Sequence, residues 1–402
     1  MSALGLLAFI GLAWCLSENR GKTNWRLVAI GLVLQFGIGV LLLKTDLQKP
    51  LFSGMNSLVT VLNNAVSEGA NLLFNAENVQ LAPAFAFQVL PVIIFVSALA
   101  AVLHHLRIIQ ALVLGVSWVM RRTLKTSGAE TVGAALLIFI GIEAVAAIRS
   151  YLGKMTRSEL FAVMTTFMAT IAGSVMVVYV SFGAEAGHLL AASLMSAPAA
   201  LIVAKVMVPE TETPETGGDH HVRIEVESKN VVDAAARGTT QGLYMALNVG
   251  AMLIVFIGMV FLINLTLTSI PIPFVGRNLP GLEEIMGYVF YPFAFLMGVP
   301  SEDVGQVAQL LGKKTVINEF LAYLDLSALI QEAKLQPRSV TIATYALCGF
   351  ANPGSIGIML AGLDTLIPER RAEISVLSIK AFVAGTIACF MTACVAGILV
   401  HA

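Results

Sequence analysis

Long apolar stretches alternate along the chain with short polar ones. Those at 3–16, 26–43, 83–103, 160–179, 189–208, 243–265 and 376–400 approach the roughly 20 apolar residues that let an α-helix cross a bilayer. An eighth stretch, 340–363, carries Gly349, Asn352, Pro353, Gly354 and Ser355 in its middle, a combination foreign to an ordinary helix interior. Irregular backbone cannot face lipid, so this break is expected to face protein or a water-filled cavity. Two further apolar stretches are short and hold a carboxylate near the centre: 132–148 with Glu143, and 314–330 with Asn318, Glu319 and Asp325. Both read as re-entrant hairpins. Segments 51–74 and 105–120 mix apolar and polar positions at helical period and are candidate interfacial helices, with contact to a partner as the rival reading.

Positive charge adds a direction. Arg20, Lys22 and Arg26 form one basic group, and Arg107, Arg121, Arg122 and Lys125 a second. Arg149, Lys154 and Arg157 form a third, and Arg370 with Arg371 a fourth. Loops 44–81, 181–188 and 267–284 carry few such residues. Gathering the basic loops on the cytoplasmic side places the N-terminus outside. It also makes the Glu143 hairpin enter and leave from the cytoplasm and the Glu319 hairpin from the opposite side. The polar stretch 209–241 reads as a cytoplasmic loop, in which the adjacent His220 and His221 are solvated rather than metal-binding. The first apolar segment has no basic n-region and no Ala-x-Ala site, so it is expected to be a retained helix.

Composition excludes the soluble classes. The chain has 402 residues, 57% hydrophobic and 12% charged, with a net charge of −1; soluble domains carry about 25% charged residues. Mean hydropathy is +0.84. A soluble enzyme and a nucleic-acid binder are ruled out. Cys15, Cys348, Cys389 and Cys394 lie in apolar segments and read as small buried hydrophobes.

The same order of features occurs twice. ETVG at 130–133, Glu143 and the 169–175 region are matched by EDVG at 302–305, Glu319 and the 349–355 region. By the charge map the two units enter from opposite sides. The fold class expected is therefore an all-α polytopic membrane protein: eight transmembrane helices plus two opposed re-entrant hairpins, in an inverted repeat. Such repeats place substrate and coupling ion at the midplane, between broken segments.

An ionisable group in an apolar span costs about 2.5–3.5 kcal/mol on insertion scales, which makes Glu143 and Glu319 functional candidates by default. Asn352 and Ser355 add an amide and a hydroxyl at the second break, suited to a polyhydroxylated ligand such as a sugar ring, and Phe350 can pack on a ring. A helix relaxed at Thr170 and Ile171 would free carbonyl oxygens beside a hydroxyl, the donor type that hard cations prefer. No Walker A or zinc-protease motif is present. The remaining rivals are a channel and an intramembrane enzyme using Glu143 and Glu319 as acid and base.

At these residues the chain resembles the concentrative nucleoside transporter family, bacterial type. The matches are LLGKKTVINEFLAY (310–323), ATYALCGFANPGSIGIMLAGL (343–363), IRSYLGKMTRSELFAVMT (148–165) and ATIAGSVM (169–176), with GLAWCLSENR, NWRLVAIGLVLQFGIGVLLL and AFQVLPVIIFVSAL nearer the N-terminus. The resemblance implies a homotrimer in the bacterial inner membrane, whose transport domains slide as elevators against a scaffold and import a nucleoside with a cation, Na+ or in some members H+. It divides the chain into scaffold helices with an interfacial helix (1–104), a first transport repeat (105–208), a cytoplasmic loop with a long scaffold helix (209–281) and a second transport repeat (282–402). It assigns ribose hydroxyls to Glu319, Asn352 and Ser355 with Phe350 adjacent, and the base to Val175, Ile142 and Glu143. It assigns the cation to the positions of Leu137, Ile140, Thr170 and Ile171.

Two departures stand out. The family's Asn-Ile-Phe-x-Gly-Gln-Thr-Glu-Ala reads here Leu137-Ile138-Phe139-Ile140-Gly141-Ile142-Glu143-Ala144, one residue shorter, and Ala-Asn-Phe-Ser-Ser reads Ala351-Asn352-Pro353-Gly354-Ser355. The ribose half is kept and the base half loses its polar side chains. Base selectivity is therefore expected to be broad or altered. Na+ coupling rests on Thr170 and on the carbonyls of Ile140 and Ile171, or gives way to H+ through a glutamate. The alternatives are a proton-coupled or substrate-shifted carrier of ribosyl compounds and, more distantly, the intramembrane enzyme.

Overall fold

The computed structural model describes residues 1–74, 85–217, 222, 224–226, 228–271 and 278–400, without the side chains of 71–74, 85–88, 143 and 144. His220 and His221 lie outside the described residues. Every regular element among those described is helical. The chain begins with α1 (Ser2–Cys15), a 3₁₀ turn (Arg20–Lys22), α2 (Trp25–Leu43), α3 (Gln48–Phe74), α4 (Phe85–His105) and α5 (Ile108–Leu124). The first repeat holds α6 (Gly128–Phe139), a 3₁₀ segment (Ile142–Ile148), α7 (Arg149–Leu152), α8 (Arg157–Ala169) and α9 (Gly173–Ser181). Then follow α10 (Ala186–Met207), α11 (Val231–Thr268) and α12 (Leu282–Met297). The second repeat holds α13 (Val304–Val316), α14 (Glu319–Gln331), α15 (Pro337–Leu347) and α16 (Pro353–Leu366), and α17 (Arg371–Leu399) closes the chain.

Among the described residues five helical spans are long and apolar enough to cross a membrane, six if α4 and α5, bent by 76°, are one span. The 14 residues of α1 make only about 21 Å of helix. The expected eight are reached with α1 and with α15–α16 taken as one broken span. The bend between α4 and α5 sits at Arg107, in left-handed backbone (φ 63°), and turns α5 away from the line of α4. One boundary and one burial expectation differ from what is observed. Residues 231–241 are not loop but the first turns of α11, started by Asn230, whose side chain accepts from the Asp233 amide at 2.8 Å. Unlike the other cysteines, Cys15 is exposed, because it is the last residue of α1. A further helix, α12, falls in a stretch to which the hydropathy pattern assigns no element.

The core lies where α10 and α17 pack with α8 and α15. α10 is buried on nearly all sides, and its alanines (Ala191, Ala192, Ala197, Ala199, Ala200) let neighbouring backbones approach closely. α11 differs: it buries only a stripe of Ala234, Gly238, Gly242, Ala246, Leu253 and Val260, whose upper part packs on Ile94, Ser97, Ala98 and Ala101 of α4.

α17 shows that the two hairpins are opposed. Near its start Glu373 pairs with Arg157, which leads from the first hairpin into α8. At its far end the Gly397 and Val400 carbonyls accept from Arg338 at the start of α15, after the second hairpin. The 29 residues of α17 span about 43 Å.

Candidate functional site

Three interruptions of helix meet inside this frame. The first hairpin breaks after Phe139, and Gly141 takes φ +110°, which a side chain would strain. The second break is at Thr170, extended between α8 and α9 (φ −121°, ψ 170°). The third is at 348–352, between α15 and α16. The Phe350 amide donates to the Thr170 carbonyl at 3.2 Å, joining the second break to the third. A Cβ on Gly173 would stand 2.9 Å from the Phe139 carbonyl oxygen, which joins the second to the first.

Two asparagines serve as helix caps at the site. Asn318 Oδ1 accepts from the Leu321 amide at 3.1 Å and starts α14. Asn352 Oδ1 accepts from the Ser355 amide at 2.8 Å and starts α16, with Pro353 as its first residue. Glu319, buried at the N-terminus of α14, lies between these caps. Its Oε2 accepts from Asn352 Nδ2 at 2.6 Å and its Oε1 from the Tyr179 hydroxyl at 2.8 Å. Tyr179 in turn stacks on Tyr323 at 4.3 Å, whose hydroxyl donates to the Thr344 carbonyl at 2.7 Å. A fully buried Lys314 donates to the Ala346 carbonyl at 2.9 Å, at the end of α15. An ionised carboxylate has about four lone-pair positions; the two bonds to protein leave acceptor capacity for a ligand.

Glu319 faces a cavity of about 580 Å³. Ile142, Val175, Phe350, Asn352 and Ser355 line it too, so six of the seven substrate residues expected from sequence come together. Glu143 follows Ile142 in the 3₁₀ segment, and its side chain lies outside the described residues. The positions expected at the cation gather at the first two breaks. Ile140 caps the end of α6, Thr170 caps α8, Ile171 follows it, and Leu137 is buried in the last turn of α6. The Thr170 hydroxyl donates to the Thr166 carbonyl at 2.8 Å, which leaves its own oxygen free to accept. Leu137 brings no side-chain oxygen. Among the described residues no group of three or more His, Cys, Asp or Glu is placed to hold a metal ion.

Sequence reasoning missed Tyr179 and the cavity face of α11. The signal for Tyr179 was a phenol in an otherwise apolar run, and for α11 the spacing of Gln241, Tyr244 and Asn248 along one side.

Opposed hairpins and paired broken helices around a central polar cluster are an architecture of the secondary-transporter class of membrane folds. The chain belongs to the Na+-dependent nucleoside transporter family. Residues 4–77 match the family's N-terminal part and 188–397 its C-terminal part, and 86–186 match a separate family model described as nucleoside recognition. The transporter YutK of Bacillus subtilis is 40% identical, over 99% of this chain and 98% of its own length. Solute carrier family 28 member 3 of Eptatretus stoutii is also 40% identical, over 98% of this chain; the chain spans only 60% of that relative. CNTnw in an inward-facing substrate-bound state superposes with a TM-score of 0.92 at 36% identity, covering 99% of this chain and 97% of that one. A CNTnw variant in an intermediate state gives 0.91 at 37%, covering 100% and 99%.

Proposed function

We propose that the protein imports nucleosides across a bacterial inner membrane, driven by a Na+ gradient. The observation that carries this reading is the buried Tyr179–Glu319–Asn352 cluster on the cavity wall. Glu319 accepts from two protein donors on its inner side, and its remaining lone pairs accept from the vicinal ribose hydroxyls. Charge-assisted hydrogen bonds of this kind are roughly twice as strong as neutral ones. Asn352 and Ser355 hold the same end of the ligand, Phe350 packs beside it, and Val175 and Ile142 cover the base, with Glu143 on the base side. Na+ travels as a co-substrate held by the Thr170 hydroxyl and the carbonyls of Ile140 and Ile171. The working assembly is a homotrimer with its N-terminus outside, in which the hairpins and broken helices slide against α4 and α11 as an elevator.

A second reading, coupling to H+, draws on Leu137, which supplies no side-chain oxygen at the expected ion position. The test is accumulation of labelled uridine by proteoliposomes under an imposed Na+ gradient or an imposed pH gradient. Na+-driven accumulation is expected. Accumulation with the pH gradient alone would move coupling onto a glutamate, and none with either would overturn the nucleoside reading.

A further inference from the structure

Among the described side chains of the first repeat, those expected at the base, Ile142 and Val175, are apolar, yet the opposite wall of the cavity is not. That wall is α11. Two contacts set its register against the broken helices. Ser174 Oγ at the start of α9 meets Met245 Sδ at 4.0 Å, and a Cβ on Gly354 at the start of α16 would lie 3.5 Å from the Phe256 ring. The eleven steps from Met245 to Phe256 cover about 16 Å of helix. Asn248 falls between them, one turn from Met245, and faces the gap that separates the two broken helices. Its side chain is exposed to that cavity and has no hydrogen-bond partner among the described residues. It is an amide in the 38-residue α11, where contact with lipid would leave its donors and acceptor unsatisfied.

We propose that Asn248 reads the edge of the nucleobase, replacing from α11 the hydrogen bonds that the first hairpin no longer supplies. A carboxamide presents an acceptor and a donor side by side. It therefore matches both the N6/N7 edge of adenine and the O4/N3 edge of uracil. Because it can turn either end to the ligand, Asn248 rewards a polar base edge without choosing purine over pyrimidine, which fits a site of broad base range. The inference rests on the nucleoside reading above and adds a specificity-determining residue to it.

The experiment measures uptake kcat/KM in proteoliposomes for uridine and adenosine against analogues lacking the edge group: 4-deoxyuridine for uridine and purine riboside for adenosine. The wild-type protein is expected to prefer each natural nucleoside by roughly three- to tenfold, the worth of one net hydrogen bond. In Asn248→Leu both ratios are expected to fall to about one, while uridine over 3′-deoxyuridine, which reports on the ribose end, keeps its wild-type value. Ratios within one preparation are independent of how much protein inserts, and Asn248→Ala supplies the same comparison if the leucine variant inserts poorly. Edge ratios that survive in both variants, or that equal one in the wild type, would overturn the role of Asn248 while leaving nucleoside transport standing. A wild-type protein that takes up neither uridine nor adenosine would overturn the transport reading and this inference with it.

Discussion

Glu319 is useful because each of its oxygens is already held. Tyr179 fixes Oε1 and Asn352 fixes Oε2, so the carboxylate meets a ligand in one orientation. Tyr179→Phe removes one of these bonds and leaves the ring stack on Tyr323. The loss is expected at about 1–2 kcal/mol, roughly a tenfold rise in KM for uridine with little change in thermal stability; an unchanged KM would mean that the tyrosine is only packing. Asn352→Ala deletes a helix cap as well as a bond to Glu319. It should lower stability by about 1 kcal/mol in addition to weakening uptake, and thermal unfolding in detergent separates the two effects. At the cation end, Leu137→Asn is expected to lower the Na+ concentration for half-maximal uptake, because it adds an oxygen beside the first break. Glu319, Asn352 and Ser355 were legible in the sequence, because ionisable and amide groups are costly in an apolar span. Tyr179 was not, since a tyrosine in such a run is common and its partner lies 140 positions away.

Between residue and molecule stand the interrupted helices. Hydropathy located both hairpins and the Pro353 break, because carboxylates, glycine and proline contradict a continuous span. The break at Thr170 carried a weaker signal, as glycine and serine also serve helix packing. The Phe350 amide on the Thr170 carbonyl ties it to the third break, and a glycine at 173 leaves room for the Phe139 carbonyl. Gly173→Val would push α9 off the first hairpin, and the expected result is loss of Na+-dependent uptake, while the variant still elutes as folded protein. The first turns of α11 escaped notice because their polar residues read as loop. The Asn230 cap starts the helix there, and packing on α4 holds it.

On the scale of the whole protein, the opposed hairpins are tied to opposite ends of α17. At the end nearer the first hairpin, Glu18 joins Arg157 and Lys380. The Arg157 guanidinium, with Lys380 beside it, holds the Glu18 carboxyl down at about 2, from an ordinary 4.5. Glu18 therefore contributes stability that is fully present above about pH 4.5 and is lost as pH falls toward 2. The difference in unfolding temperature between wild type and Glu18→Gln should be present at pH 7 and shrink steadily below pH 4.5. A difference independent of pH would show that the carboxylate charge plays no part. The effect is expected to be modest, because the pair is partly exposed to solvent.

The amino-acid sequence alone determined that the chain lives in a membrane, where its helices are interrupted, and which carboxylates bear the cost of burial there. These are local properties, set by hydropathy, backbone chemistry and the price of an unsolvated charge. Tertiary structure decided which interruptions meet, how Glu319 is oriented and which helix closes the cavity. Those facts depend on contacts between residues far apart in the chain, and α11 illustrates the point. Its polar positions look alike along the sequence, and only packing against α4 turns Asn248 toward the site.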